Sequence, residues 1–156
     1  MTFRCRSLCL SNVLLHVVFS TKNRVPFLKY ADLRGALTGY MVTTLQNIGC
    51  PSLVVGIVED HLHCLCRLSR TIAISKLIEE MKSESSAWVK TQSSSLRDFY
   101  WQAGYGVFSV SRSNVGIVTA YIENQEEHHR RVSFQDEFRV LLVRDDIEFD
   151  ERYVWD

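Results

Sequence analysis

The apolar run from Leu53 to Leu68 constrains this chain most, because it carries His61-Leu62-His63 within a stretch that reads as strand rather than helix. Glu59-Asp60 interrupts the run and makes a tight turn, leaving strands over 53–58 and 61–68. Strand side chains alternate faces, so His61, His63 and Leu65 share one side, whereas Leu62, Cys64 and Cys66 share the other. Two imidazoles projecting together are half of a site for a divalent metal. The thiols face the opposite way, and the expectation for them is burial as small hydrophobes rather than ligation of the same ion.

The other elements follow from periodicity. Residues 13–20 are β-branched and aromatic and read as the first strand, followed by a basic turn at Lys22-Asn23-Arg24-Val25-Pro26. Leu33, Leu37, Tyr40, Met41, Leu45 and Ile48 recur at helical spacing, and Gly49 and Pro51 stop that helix. Ile74, Leu77, Ile78, Met81 and Trp88 mark a second helix, with Ser69 or Thr71 as its cap. The later part of the serine-rich stretch 83–95 reads as an exposed loop. Tyr105 to Val110 is the fourth strand, and Ser113 is expected to cap a third helix reaching about His128. Ser133-Phe134-Gln135-Asp136 resembles a capping box and starts a fourth helix through Leu142. The order β-α-β-β-α-β followed by helices predicts an α+β fold, a ferredoxin-like antiparallel sheet with extra C-terminal helices and strands one and three at its centre. One domain over 12–156 is expected, preceded by a leader, 1–11, of unknown role.

No window is apolar for the roughly 18 residues of a membrane span. Five cysteines, an odd number without secreted-scaffold spacing, point to a reducing, cytoplasmic setting. Net charge is zero, yet Arg4, Arg6, Lys22, Arg24, Lys29 and Arg34 face a single Asp32 in the first 35 residues. Such a basic face suits local phosphate contacts, and an ordinary solvated surface accounts for it equally well. Lys22, Arg24, Lys82 and Arg112 are the candidate cations for such phosphate contacts.

On the third helix, Tyr121 and Gln125 stand four apart and share a face, with His128 or His129 further along it. A carboxamide oxygen beside two imidazoles completes a ligand set with positions open for a phosphate. Tyrosine attack on a phosphodiester gives an aryl phosphodiester and releases a sugar hydroxyl. Phenol titrates near ~10, so the phenoxide remains a competent leaving group and a new hydroxyl can reseal the strand. Tyr105, set between glycines, is the rival nucleophile but lacks a ligand partner at helical spacing. His16 reads as a packed core histidine, and His128 as a minor candidate for proton transfer.

With these residues in place, the chain resembles the single-tyrosine HUH transposases, of the insertion-sequence two-hundred/six-oh-five type and including the REP-associated tyrosine transposases. His61-Leu62-His63 matches their histidine-hydrophobe-histidine motif, and Tyr121-Ile122-Glu123-Asn124-Gln125 their Tyr-x-x-x-Gln helix. Residues 18–24 look like that family's first strand and basic turn, and 101–111 like its fourth-strand signature. The resemblance covers roughly residues 12–155.

The resemblance implies a transposase that cleaves and rejoins single-stranded DNA at hairpin element ends through a 5′-phosphotyrosine. It implies Tyr121 as nucleophile, His61, His63 and Gln125 as ligands of Mg or Mn, and a homodimer with active sites shared between subunits. A domesticated hairpin-binding protein, a water-using metal-dependent nuclease and a nonenzymatic ferredoxin-like module remain alternatives.

Overall fold

The structure is a computed structural model that describes residues 9–156. Of the leader expected over 1–11, only residues 9–11 are described, and they carry no regular structure; Arg4, Cys5 and Arg6 lie outside the described residues. Four strands form one sheet in the order β2-β3-β1-β4: β1 (Leu14–Ser20), β2 (Ser52–Ile57), β3 (His61–Arg67) and β4 (Gly106–Val110). Every pairing is antiparallel, with Val18 opposite His63, Ser20 opposite His61, and His16 opposite both Leu65 and Phe108. This is the expected ferredoxin-like arrangement, with strands one and three central.

Each face of the sheet is covered by its own set of helices. On one face Leu15, Val17, Phe19, Leu62, Cys64 and Cys66 pack against α1 (Ala31–Asn47) and α2 (Ile74–Gln92) through Leu37, Met41, Leu45, Leu77, Ile78 and Met81. The thiols of Cys64 and Cys66 are buried here, as strand parity requires. The other face carries Leu14, His16, Val18, His61, His63 and Leu65 and is covered by α3 (Val115–Glu123), α4 (Gln125–His129) and α5 (Phe134–Arg144).

Two glycines set how closely those helices approach. A Cβ at Gly56 in β2 would lie 2.7 Å from the carbonyl oxygen of Ile122, so only a bare Cα lets α3 rest on the sheet. A Cβ at Gly106 would stand 2.6 Å from the Phe138 ring, which brings α5 against β4. Residues 101–102 tie the far chain to the end of β1. Trp101 bridges Thr21 and packs on Phe19, while the side-chain Oε1 of Gln102 accepts from the Ser20 amide at 2.8 Å.

The structure corrects several boundaries. Neither Ser69 nor Thr71 caps α2: their hydroxyls bond to each other, and Ala73 holds the cap position without a side-chain bond. The serine-rich stretch remains helical to Gln92, because Ser85 turns inward, donates to the Met81 carbonyl and accepts from the Trp101 indole. Ser113 sits inside a 3-10 turn, and Asn114 precedes α3 instead. The third helix does not run unbroken to His128: it stops at Glu123, and Asn124, at φ −94 and ψ 16, separates it from α4. Ser133 does cap α5, accepting from the Asp136 amide, and that helix continues to Arg144.

Candidate metal centre and tyrosine

The site lies where the histidine face of the sheet meets α3, α4 and α5. His61 and His63 are fully buried, and Nε2 of each points at Glu137 of α5. His63 Nε2 is 3.1 Å from Oε1 of Glu137, and His61 Nε2 is 3.8 Å from Oε2. His129, at the end of α4, brings its Nε2 within 2.7 Å of Oε2. Ligand atoms of His61, His63, His129 and Glu137 all lie within 4.8 Å of one another, a group that can hold a metal ion.

The surrounding layer orients these rings. Asp60, in the turn before β3, accepts from His61 Nδ1 at 2.6 Å. A carboxylate only accepts, so the ring proton sits on Nδ1 and Nε2 presents a bare lone pair. On the neighbouring strand, His16 Nε2 stands 2.8 Å from His63 Nδ1 and fixes that ring in turn. Burial holds His61 and His16 neutral. His61 is lowered to about 4, with the Asp60 hydrogen bond opposing the fall, and His16 is lowered to about 3, helped by His63 and Arg144.

Tyr121 completes the cluster from above. Its half-buried hydroxyl donates to Oε1 of Glu137, and its ring stands edge-on to His63 and His16 at centroid distances of 5.7 and 6.1 Å. Burial and the adjacent carboxylate push the phenol well above its ordinary value. Burial alone would raise the Glu137 carboxyl, but contacts with His129, His63 and Tyr121 outweigh it and keep the group ionised.

The sequence-derived candidates therefore separate. His61, His63 and Tyr121 converge on one point. Gln125 is buried beside that point, with its carboxamide turned aside: Nε2 donates to Glu137 at 3.2 Å and Oε1 accepts from His129 at 2.9 Å. Lys22 is exposed and Arg24 half-buried just after β1, at the end of the sheet where Ser20 faces His61. Arg112 follows β4 at the opposite end, where Val110 faces Leu14. Lys82 donates to the carbonyls of Gln102, Ala103 and Gly104 at 2.8, 3.1 and 2.7 Å, and so acts as an internal staple. Tyr105 is exposed and lies beneath the Lys82 ammonium.

Glu137 and Asp60 were not singled out from the sequence, and His129 was placed only as an alternative to His128 on the face of Tyr121 and Gln125. For Glu137 a clue existed: on α5 it falls on the stripe of Phe134, Phe138, Leu141 and Leu142, an acid on an apolar face. Two openings reach the cluster. One, of about 620 Å³, runs past Arg24, Arg34, Arg130, Asp60 and His129; the other, of about 320 Å³, is mostly apolar and lined by Ile117, Val118, Val140 and Leu141 beside Tyr121 and Glu137.

Comparison with known proteins accords with this geometry. The family described as "Transposase IS200 like" matches residues 9–125, three quarters of the chain. The chain belongs to the IS200-like transposase family. Among solved structures, it is similar to a protein of Deinococcus radiodurans R1 described as a transposase, at 18% identity and a TM-score of 0.61, over 79% of this chain and 98% of that one. It is also similar to a REP-associated tyrosine transposase bound to a REP hairpin, at 14% identity and a TM-score of 0.60, over 84% of this chain and 76% of that one. No curated protein matches it in sequence. No helix among the described residues is long and apolar enough to cross a membrane.

Proposed function

We propose that this chain cleaves and rejoins single-stranded DNA at hairpin-bearing ends, with Tyr121 as the nucleophile and a divalent cation held at the histidine pair. One observation carries the reading: the Tyr121 hydroxyl and the imidazoles of His61 and His63 meet at the same carboxylate. Family membership and the hairpin-bound structural relative support it.

The residues suit a cation. His61 Nε2 is buried without a hydrogen-bond partner, and His63 Nε2 has only the Glu137 carboxylate 3.1 Å away. An uncompensated lone pair is costly inside a protein, and two imidazole nitrogens aimed at one point fit a cation. The bound cation, Mg or Mn, would neutralise non-bridging charge on a phosphodiester.

The chain's own groups then have defined tasks. Tyr121 Oη attacks phosphorus, the bond from phosphorus to the 3′ oxygen breaks, and a 5′-phosphotyrosine and a free 3′-hydroxyl result. The departing 3′ oxygen takes a proton from water, and the Glu137 carboxylate receives the phenol proton it already contacts. Attack by another 3′-hydroxyl reverses these steps and rejoins the strand. The opening past Arg24 is the route for the phosphate backbone; there Arg34 and Arg130, paired with Glu126 and Glu127, must exchange those carboxylates for phosphate.

Incubation with single-stranded hairpin oligonucleotides and Mn²⁺ should yield a covalent protein–DNA adduct, absent in Tyr121→Phe. Cutting with a free 5′-phosphate and no adduct would replace this reading with the water-using nuclease. Hairpin binding with no cutting would replace it with a DNA-binding role.

A further inference from the structure

The geometry points to Glu137 as a ligand of the cation, a carboxylate that takes the oxygen position expected of Gln125 and joins the metal centre directly to Tyr121. This inference rests on the metal-dependent reading above and extends it.

Three features lead to it. First, His61 Nδ1 is committed to Asp60, so His61 Nε2 has no proton, yet it faces Oε2 of Glu137 at 3.8 Å. Two lone pairs directed at each other across that gap repel unless a cation lies between them. Second, Oε2 faces the histidines, 2.7 Å from His129 Nε2 and 3.8 Å from His61 Nε2, while Oε1, 3.1 Å from His63 Nε2, receives both the Tyr121 hydroxyl and the Gln125 amide. The carboxylate thus has one oxygen for the metal side and one for the phenol. Third, Gln125 is occupied: both ends of its carboxamide bond to His129 and Glu137, and it reaches the cluster only through them.

Placement on α5 explains how an acid tolerates an apolar stripe. Phe134, Phe138, Leu141 and Leu142 bury that side of the helix, and Glu137 sits among them 3% exposed. A structural acid would be expected on the solvent side, where Asp136 already serves the helix start. An ionised carboxylate with several imidazoles also suits Mn²⁺, Co²⁺ or Zn²⁺ better than Mg²⁺, which favours an oxygen shell.

The test is calorimetric titration of the full chain with Mn²⁺, with electron paramagnetic resonance of the bound ion as a second readout. Glu137→Ala and the near-isosteric Glu137→Gln should each weaken Mn²⁺ binding at least tenfold and change the resonance, and each should cost more affinity than Gln125→Ala, which removes only a hydrogen-bond partner of Glu137 and His129. Circular dichroism checks folding, and if Glu137→Ala does not fold, Glu137→Gln decides. Glu137→Gln binding Mn²⁺ within threefold of the parent, Gln125→Ala losing more affinity than Glu137→Gln, or a parent chain that binds no Mn²⁺ would each overturn the inference. Adduct formation on hairpin DNA, assayed in parallel, separates the two levels. Adduct from the parent with unchanged Mn²⁺ binding in the Glu137 variants defeats this inference alone; weakened binding without any adduct from the parent leaves it standing and defeats the tyrosine reading.

Discussion

Gly56 and Ile122 are in contact so close that a single added carbon at Gly56 would stand 2.7 Å from the Ile122 carbonyl oxygen. Ile122 follows Tyr121 in α3, so the height of that helix above the sheet also sets where the phenol reaches. Gly56→Ala should therefore lift α3, costing about 1–3 kcal/mol by urea denaturation and lowering adduct formation. Parent-like stability and adduct yield would show that α3 adjusts without moving Tyr121.

Asp60 is expected to act through His61. Asp60→Ala frees the ring to turn and removes the acceptor that fixes its proton on Nδ1. Loss of such a partner typically weakens metal binding by roughly 10–100-fold. Mn²⁺ titration of the variant checks this, and unchanged affinity would mean that packing alone holds the ring.

Cationic residues should divide by salt dependence. Lys22→Ala and Arg24→Ala are each expected to reduce the slope of log binding constant against log salt for single-stranded DNA by about 0.7, the value for one lost phosphate contact. Lys82→Ala should leave that slope unchanged and lower stability instead, because its ammonium joins three backbone carbonyls. An equal slope change in Lys82→Ala would place its head group on the DNA.

The metal-free protein should lose stability as pH falls. Folding lowers His61 from 6.5 to about 4 and His16 from 6.5 to about 3, burial being the main cause in both. Between those values and about 6.5 the unfolded chain binds more protons than the folded one, so stability is intact above that window and declines on acidification through it. The urea midpoint in the presence of a chelator should drop between pH 7 and pH 4.5. A flat profile would show that these rings accept protons without disturbing the fold.

Subunit sharing has a direct test. Tyr121 meets the histidine pair of its own chain in this structure, so cleavage within one chain is geometrically available. Mixing Tyr121→Phe with His61→Ala protein should restore little adduct if sites are built within a chain, and substantial adduct if a homodimer exchanges its tyrosine helices.

Period-two alternation sufficed to place the imidazoles and thiols on opposite faces, because a strand at the centre of a sheet has no freedom to turn a side chain round. The four-residue interval likewise brought Tyr121 and Gln125 to one side, even though Asn124 breaks the helix between them. What local pattern could not reveal was which distant group would meet them. Glu137 arrives from another helix, with no spacing relation to the histidines, and its place on the apolar stripe of α5 marks it as unusual without saying what it meets. The partners of Lys82 were hidden for a related reason: a lysine on an amphipathic helix looks solvent-bound until the loop at 102–104 folds over it.

The contributors to the cluster are spread from His16 to Glu137 along the chain. Synthesis from the N-terminus delivers the imidazoles of the sheet early, the phenol later and the carboxylate last. A ribosome-bound chain therefore cannot assemble the cluster until residue 137 has emerged.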